Sequence, residues 1–105
     1  MQVAEKDPVK SVIQNIQVIL TTPKGSDVHR PEFGSEIFNF IDQPLTALTI
    51  GKIKALIVEE IEEWEPRVKV REIELTKDYL NGRTKVKLLL EIKETGQEVE
   101  TALWM

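Results

Sequence analysis

The spacing of apolar residues changes once along the chain, and this change limits the folds that the sequence can adopt. Up to about Trp64, apolar residues recur at the spacing of one face of a helix. From Arg67 onward they alternate with polar residues, as in strands that have one buried face. Because the helices come first and the strands follow, the sequence predicts an α+β fold.

The first predicted helix runs from about Pro8 to about Thr21. It follows Asp7, a residue type that accepts hydrogen bonds from free N–H groups at a helix start, and proline suits the first helical position. Its apolar positions share one face. The polar residues assigned to the opposite side are Gln14, Asn15 and Gln17. This pattern predicts an amphipathic N-terminal helix.

Two further helices are predicted before the strands. A short helix over Glu36–Ile41 would bury three side chains. These are Ile37, Phe38 and Ile41. A long helix runs from about Thr46 to Trp64 and ends there because Pro66 moves the preceding residue out of the helical region. Gly51 lies inside this helix, and one explanation for it is close packing against a neighbouring element.

The alternating half predicts a three-stranded antiparallel meander. Asn81-Gly82 is a hairpin turn signal before the clearest strand, and Gly96 marks a second turn. The preceding strand changes phase near Arg71-Glu72, which predicts a β-bulge. The third strand contains Val99, Thr101 and Leu103. We expect the helices to pack on this sheet within one domain over residues 1–105.

Composition excludes several classes of protein and site. A net charge of −4 argues against a nucleic-acid binder, and the absence of cysteine excludes disulfides and thiolate metal sites. No stretch approaches the roughly 20 apolar residues that span a bilayer, so no membrane partner is expected. Met1 to Lys6 carry both charge signs, which does not fit a signal peptide. We therefore expect assembly in the cytoplasm.

The residues give no positive support for catalysis, a metal or a cofactor. His29 is the only histidine and lies in a charged loop, whereas a transition-metal site usually needs several His or Cys ligands. The acidic run from Glu59 to Glu65 could supply paired carboxylates for glycoside hydrolysis. Most of these glutamates, however, fall on the solvent side of an amphipathic helix. A solvated helix face is the favoured interpretation, and we predict that the protein is not an enzyme.

Two segments are unusual for a plain scaffold. One is the loop from His29 to Gly34, whose candidate partner-binding residues are Arg30, Pro31, Phe33 and Gly34. The other is the junction between helix and sheet, with Glu65, Pro66 and Arg67. A local interpretation of the junction is a surface ion pair, worth about 0–1 kcal/mol, beside a proline that ends the helix. The residues alone leave the local and the partner-binding interpretations open.

These segments, in their order along the chain, resemble the gene-25-like or W-type baseplate wedge family of contractile phage tails. The family also includes a baseplate subunit of type VI secretion systems. The resemblance covers about Val9 to Leu103. The motifs that carry it are Leu20-Thr21-Thr22-Pro23-Lys24-Gly25, Arg30-Pro31-Glu32-Phe33-Gly34, Ile41-Asp42-Gln43-Pro44 and Trp64-Glu65-Pro66-Arg67-Val68. Asp27-Val28-His29 departs from it, since many relatives are more basic there.

The resemblance implies a structural subunit of the virion, in the baseplate wedge near the central tube, that templates the first sheath ring. The implied partners are other wedge proteins, the sheath protein, and the tail tube or hub, with no cofactor. Glu65, Pro66 and Arg67 are implied to attach the subunit to neighbouring wedge proteins. Some relatives carry a lysozyme label, which the residues of this chain do not support.

A sheath-templating mechanism is suggested by the edges of the predicted meander. Edge strands have unpaired N–H and C=O groups, with which an extended arm of a sheath subunit could pair. We expect the strand with Val99, Thr101 and Leu103 to be the template, and to lie near the surface because the sequence stops at Met105. The alternative function is a regulatory interaction module, because an anti-adaptor of the bacterial stress response resembles the same fold. A hydrolase is the third candidate.

Overall fold

The computed structural model describes residues 7–105 and consists of helices followed by a sheet, which confirms the predicted α+β fold. Residues 1–6, on which the prediction about a signal peptide depends, lie outside the described part of the chain. The elements are helix α1 (Pro8–Thr21), a short 3-10 helix (Ile37–Asn39), helix α2 (Ala47–Trp64) and strands β1 (Val68–Asp78), β2 (Arg83–Ile92) and β3 (Glu98–Trp104).

Both long helices begin at capping side chains. The Asp7 carboxylate accepts a hydrogen bond of 3.0 Å from the N–H of Val9, and the Thr46 hydroxyl accepts one of 3.2 Å from Thr49. These side chains satisfy N–H groups that have no partner within the helix. The predicted start of each long helix is therefore confirmed to within a residue.

The strands form an antiparallel meander in the order β1-β2-β3. The register of β1 against β2 shifts between Val70 and Glu72, so the predicted β-bulge is confirmed. One face of the sheet and the apolar faces of α1 and α2 form a continuous core. Its buried side chains include Val12, Ile16, Ile19, Ile53, Ile57, Ile61, Val68, Val86, Leu88, Leu90, Val99 and Leu103.

Two details of the helical half differ from the sequence prediction. The short helix spans only Ile37–Asn39, and Phe38, which was expected to be buried, is 37% exposed. In so short a 3-10 turn Ile37 faces the core, and its neighbour turns to another side. A β-carbon on Gly51 would meet no atom within 4 Å, so the hypothesis of close packing there is wrong for the part of the chain that the structure describes.

The helices within residues 7–105 do not meet the requirements of a membrane span. None of them combines the length and the apolar character that crossing a bilayer requires.

Candidate functional site

The junction between α2 and β1 contains an ion pair whose carboxylate is buried. Nε and Nη2 of Arg67 each donate a hydrogen bond of 2.7 Å to Glu65, to Oε1 and Oε2 respectively. Glu65 is only 2% exposed, whereas the Arg67 side chain is 47% exposed. The sequence-based interpretation of a surface pair is correct about the pairing but wrong about Glu65, which belongs to the interior.

Local backbone geometry explains why this carboxylate points inward. The N–H of Glu65 still donates to Ile61 at 2.7 Å, as in a helix, but its backbone leaves the helical region before Pro66. The chain then turns into β1, and Arg67 comes back beside Glu65. Pro66 itself is exposed. The turn therefore presents Pro66 and half of Arg67 to the outside while it fixes Glu65 beneath them.

Helix α1 holds this turn from the other side. Nδ2 of Asn15 donates to the Trp64 carbonyl oxygen at 3.2 Å and to Oε2 of Glu65 at 2.8 Å. Nη2 of Arg67 also donates to Oγ of Ser11 at 3.2 Å. Asn15 is half-buried, so its assignment to the solvent side of α1 is wrong. Ser11 and Asn15 are four residues apart, which places both on the side of α1 that meets the turn.

The hydrogen bonds decide the charge state of the pair. Burial raises the pKa of Glu65, but the hydrogen bonds from Arg67 and Asn15, with the charge of Arg67, outweigh it, so the pKa lies below its usual value. The hydrogen bonds to Glu65 raise the pKa of Arg67. Both groups are therefore ionised near neutral pH, and the pair carries little net charge.

The loop before the short helix is joined to the same junction through two aromatic rings. The Phe33 ring is buried and lies edge-on to the Trp64 ring, with centroids 5.1 Å apart and an angle of 79° between the planes. The Arg30 guanidinium lies 4.1 Å above the Phe33 ring, and Arg30 also pairs with Asp27 at 3.3 Å. The two segments that stood out in the sequence are therefore adjacent in space.

Among the four loop residues, only Arg30 and Pro31 are exposed to a partner. Gly34 is buried, has a φ of 115°, and packs against Thr22 so tightly that a β-carbon would overlap the Thr22 carbonyl oxygen. The same carbonyl accepts a hydrogen bond of 2.8 Å from the N–H of Ser35. Phe33 and Gly34 thus hold the loop in place from within, and its partner-binding role stays a prediction.

A buried glutamate beneath this loop was missed in the sequence. Glu60 is 4% exposed, and its Oε2 accepts a hydrogen bond of 2.8 Å from the N–H of Glu36. Oε1 has no hydrogen-bond partner within residues 7–105. Burial raises the pKa of Glu60 above its usual value, although the nearby Ser35 side chain and the N–H of Glu36 oppose this shift. Its spacing from Ile57 and Trp64 places it on the inner face of α2, and this was the available signal.

The side chains predicted as the template strand face the helices. Val99 and Leu103 are buried and Thr101 is half-buried. The N–H and C=O groups of Met105 and Thr84 are joined by two hydrogen bonds, of 2.8 and 2.9 Å. Along an antiparallel ladder, residue pairs joined in this way alternate with pairs that share no hydrogen bond. Val99, Thr101 and Leu103 therefore also direct their main-chain groups toward β2. The main-chain groups at the outer edge of β3 belong to Glu98, Glu100, Ala102 and Trp104.

The carboxylates and the histidine form no cluster that could hold a metal ion in the part of the chain that the structure describes. No group of three or more His, Cys, Asp or Glu side chains within residues 7–105 lies close enough together to hold a metal ion. His29 is exposed in its loop, and Glu59, Glu62 and Glu63 are exposed on α2. A groove of about 690 Å³ runs between α2 and β1 and is lined by Ile50, Val58, Val70, Ile73 and Leu75 together with charged residues of both elements.

Comparison with known proteins relates the chain to tail baseplates. Residues 6–97 match the family model described as baseplate wedge protein gp25. Baseplate protein W of Escherichia phage P2 is 33% identical over 95 residues, which make up 90% of this chain and 82% of that protein.

Two solved structures share the fold. A Geobacter sulfurreducens protein to which a tail-lysozyme function has been attributed superposes with a TM-score of 0.86 at 21% identity, over 99% of this chain and 95% of that one. A chain of the postcontracted pyocin R2 baseplate superposes with a TM-score of 0.61 at 21% identity, over 91% of this chain and 84% of that one. At this level of identity both likenesses concern the fold alone.

Proposed function

The chain belongs to the gp25 family of baseplate wedge proteins and is a structural subunit of a tail baseplate, and we propose that it links wedge proteins near the central tube. We propose also that it templates the first ring of the sheath. Its partners are other baseplate proteins; wedge and sheath proteins, and the tail tube or hub, are the specific partners proposed. Nucleic acid and membrane are not among them, and assembly takes place in the host cytoplasm.

The observation that carries the linking role is the arrangement of Arg67. Its Nε and Nη2 groups are engaged by Glu65 and Ser11, and within residues 7–105 no hydrogen bond uses Nη1. Exposed Pro66 directly precedes Arg67 in a turn that Asn15 and Ser11 hold against α1. A fixed donor edge of this kind suits docking because little side-chain freedom is lost on binding. Arg30 and Pro31, on the adjoining loop, extend the proposed surface.

The templating role is assigned to the outer edge of β3. Its outward main-chain groups can pair with an extended arm of a sheath subunit, main chain to main chain. Strand β3 pairs with β2 without a register shift, whereas β1, at the other edge, has a bulge between Val70 and Glu72. Bulges distort an edge and disfavour addition of a further strand. Val99, Thr101 and Leu103 contribute by fixing β3 to the core rather than by direct contact.

Co-expression with the wedge and sheath proteins of the same baseplate tests both roles. We expect Arg67→Gln to reduce co-purification of the wedge proteins, and Ala102→Pro to block sheath assembly. Ala102→Val, which keeps the outward N–H, is the control for the second variant. Each variant is first checked by circular dichroism and thermal unfolding. Wild-type binding by folded Arg67→Gln contradicts the linking role, and intact sheath on folded Ala102→Pro contradicts the template.

We propose further that the protein has no hydrolase activity. Glycoside hydrolysis needs two carboxyl groups that flank a cleft, one of them with a raised pKa. Glu60 has the raised pKa but lies beneath the loop, and Glu65 is covered by Arg67 and Asn15. We expect no release of fragments from purified peptidoglycan. Membership of a baseplate family also favours the structural role over that of a regulatory module.

A further inference from the structure

We propose that Asn15 and Ser11 of α1 are positioning residues for wedge attachment, which fix the plane of the Arg67 guanidinium and direct its Nη1 edge to an acceptor oxygen of the wedge partner. This rests on the proposed role of Arg67 in attachment. It extends that role from the turn itself to a helix about fifty residues earlier in the chain, since Asn15 and Glu65 are 50 positions apart.

The Asn15 amide completes the set of donors around the Glu65 carboxylate. Oε1 accepts from Nε of Arg67 at 2.7 Å and from its main-chain N–H at 3.3 Å. Oε2 accepts from Nη2 of Arg67 and from Nδ2 of Asn15, at 2.7 and 2.8 Å. With four donors converging on it, the carboxylate has one orientation, and the paired guanidinium is held in the same plane. Without Asn15 the carboxylate is held by Arg67 alone.

The second hydrogen bond of Asn15 fixes the amide itself. Its Nδ2 group also donates to the Trp64 carbonyl oxygen at 3.2 Å, at the last residue of α2. The last carbonyl groups of a helix lack partners within the helix, so this bond satisfies one of them. The amide is thereby anchored to main chain on one side and to the carboxylate on the other. Asn15 thus ties α1, the end of α2 and the Glu65 side chain together.

Ser11 accepts a hydrogen bond from the Arg67 guanidinium and so determines which of its N–H groups remain unpaired. Its Oγ accepts from Nη2 of Arg67 at 3.2 Å, so Nη2 donates to both Glu65 and Ser11. A guanidinium has N–H groups on Nε, Nη1 and Nη2. The Nε and Nη2 groups are satisfied inside the subunit, no hydrogen bond within residues 7–105 uses Nη1, and the Arg67 side chain is 47% exposed. The Nη1 amino group is therefore the donor that remains for an acceptor oxygen of the partner.

The test compares Asn15→Ala and Ser11→Ala with Gln14→Ala, an exposed polar residue of the same helix that serves as the matched control. Each full-length variant is co-expressed with the wedge proteins, alongside Arg67→Gln. We expect Asn15→Ala to weaken wedge binding roughly tenfold, the size of one lost hydrogen bond to a charged group. Ser11→Ala should weaken it less, and Ser11→Thr, which keeps the hydroxyl, should restore it. Gln14→Ala should bind as the wild type does.

Two NMR measurements on the free subunit separate positioning from general loss of stability. In the wild type we expect the Arg67 Nε–H to be protected from solvent exchange, and the Glu65 carboxyl to titrate at low pH. Asn15→Ala should reduce that protection and raise the pKa of Glu65 toward its usual value, whereas Gln14→Ala should change neither. Should Asn15→Ala fail to fold, Ser11→Ala with its Ser11→Thr rescue decides the question by binding and by Nε–H exchange.

The outcomes distinguish this inference from the proposed function. Normal wedge binding by folded Arg67→Gln overturns the attachment role, and the inference with it. Weak binding by Arg67→Gln but normal binding by folded Asn15→Ala and Ser11→Ala overturns the positioning role alone. Weak binding by Asn15→Ala with an unchanged Nε–H signal and Glu65 pKa also overturns it, because the effect then arises elsewhere.

Discussion

Glu65 and Arg67 face each other across Pro66, with two hydrogen bonds of 2.7 Å between a buried carboxylate and a half-exposed guanidinium. The pair spans the point at which the chain changes from helix to strand, so it belongs both to the core and to the surface. We therefore expect removal of either group to affect stability as well as the proposed docking, and the two effects need separate measurements.

Arg67→Ala should destabilise the free subunit by about 2 kcal/mol. A buried carboxylate that loses its partner typically costs about 3–5 kcal/mol, and partial exposure of Arg67 reduces this value because solvent screens the pair. The free energy of unfolding in urea measures the change. Lys69→Ala, on the exposed side of β1, is the control and should stay within about 0.5 kcal/mol of the wild type. Equal stability of the two variants would contradict the buried pair.

Acidification should remove the contribution of Glu65 to stability. Its pKa in the folded protein lies below the ordinary value of 4.5, so the ionised form is favoured by folding. The contribution is therefore present above about pH 4.5 and is lost as the pH falls through the folded-state pKa. We expect wild type to be more stable than Glu65→Gln at pH 7, with a gap that closes in acid. A gap independent of pH between 2 and 7 would count against this prediction.

Glu60 should give a pH dependence of the opposite sign. Burial raises its pKa above the ordinary 4.5, so the folded protein holds the proton more tightly than the unfolded chain. Its effect on stability is unfavourable above the folded-state pKa and disappears as the pH falls to about 4.5. The unfolding free energy of Glu60→Gln, relative to that of the wild type, should therefore be higher at pH 8 than at pH 4. A difference that rises in acid instead would show that Glu60 is stabilised as an ion.

The sequence pattern predicted the helices, the three strands and the bulge because these depend on local spacing. The burial of Asn15 and Phe38 was predicted wrongly, and that of Glu60 was missed. These residues lie at the boundaries of apolar faces, where the neighbouring segment determines whether a side chain is buried. Hydrogen bonds to the Trp64 carbonyl and to Glu65 hold the Asn15 side chain toward the interior. The loop before the short helix covers Glu60. The spacing within α2 was a signal for Glu60, but no pattern within one helix identifies the contacting groups on other segments.

The loop supplies a comparison of two glycines with positive φ. Gly34→Ala should destabilise by about 3 kcal/mol, because strain at a φ of 115° adds to an overlap with the Thr22 carbonyl. Gly25→Ala should lose only about 1 kcal/mol, since its φ of 90° is strained but no atom lies within 4 Å of the added carbon. Thermal unfolding of both variants measures the difference. Similar losses would mean that the contact with Thr22 yields easily.

The edge of β3 is predictable only in part from sequence, because alternation of side chains does not reveal which main-chain groups are paired. The ladder with β2 shows that the N–H of Thr101 points inward to Leu88, whereas that of Ala102 points outward. Proline at Thr101, within the strand that the sequence predicts as the template, would therefore damage the monomer.

Thr101→Pro and Ala102→Pro should consequently differ in stability although the positions are adjacent. Proline at Thr101 removes a ladder hydrogen bond and should cost about 3 kcal/mol, whereas proline at Ala102 removes an N–H that faces solvent and should cost about 1 kcal/mol. Urea unfolding of both free subunits tests this, with Ala102→Val as the control for the changed side chain. Greater destabilisation at Ala102 than at Thr101 would mean that the ladder has the opposite phase, and the outward edge would then belong to Val99, Thr101 and Leu103 after all.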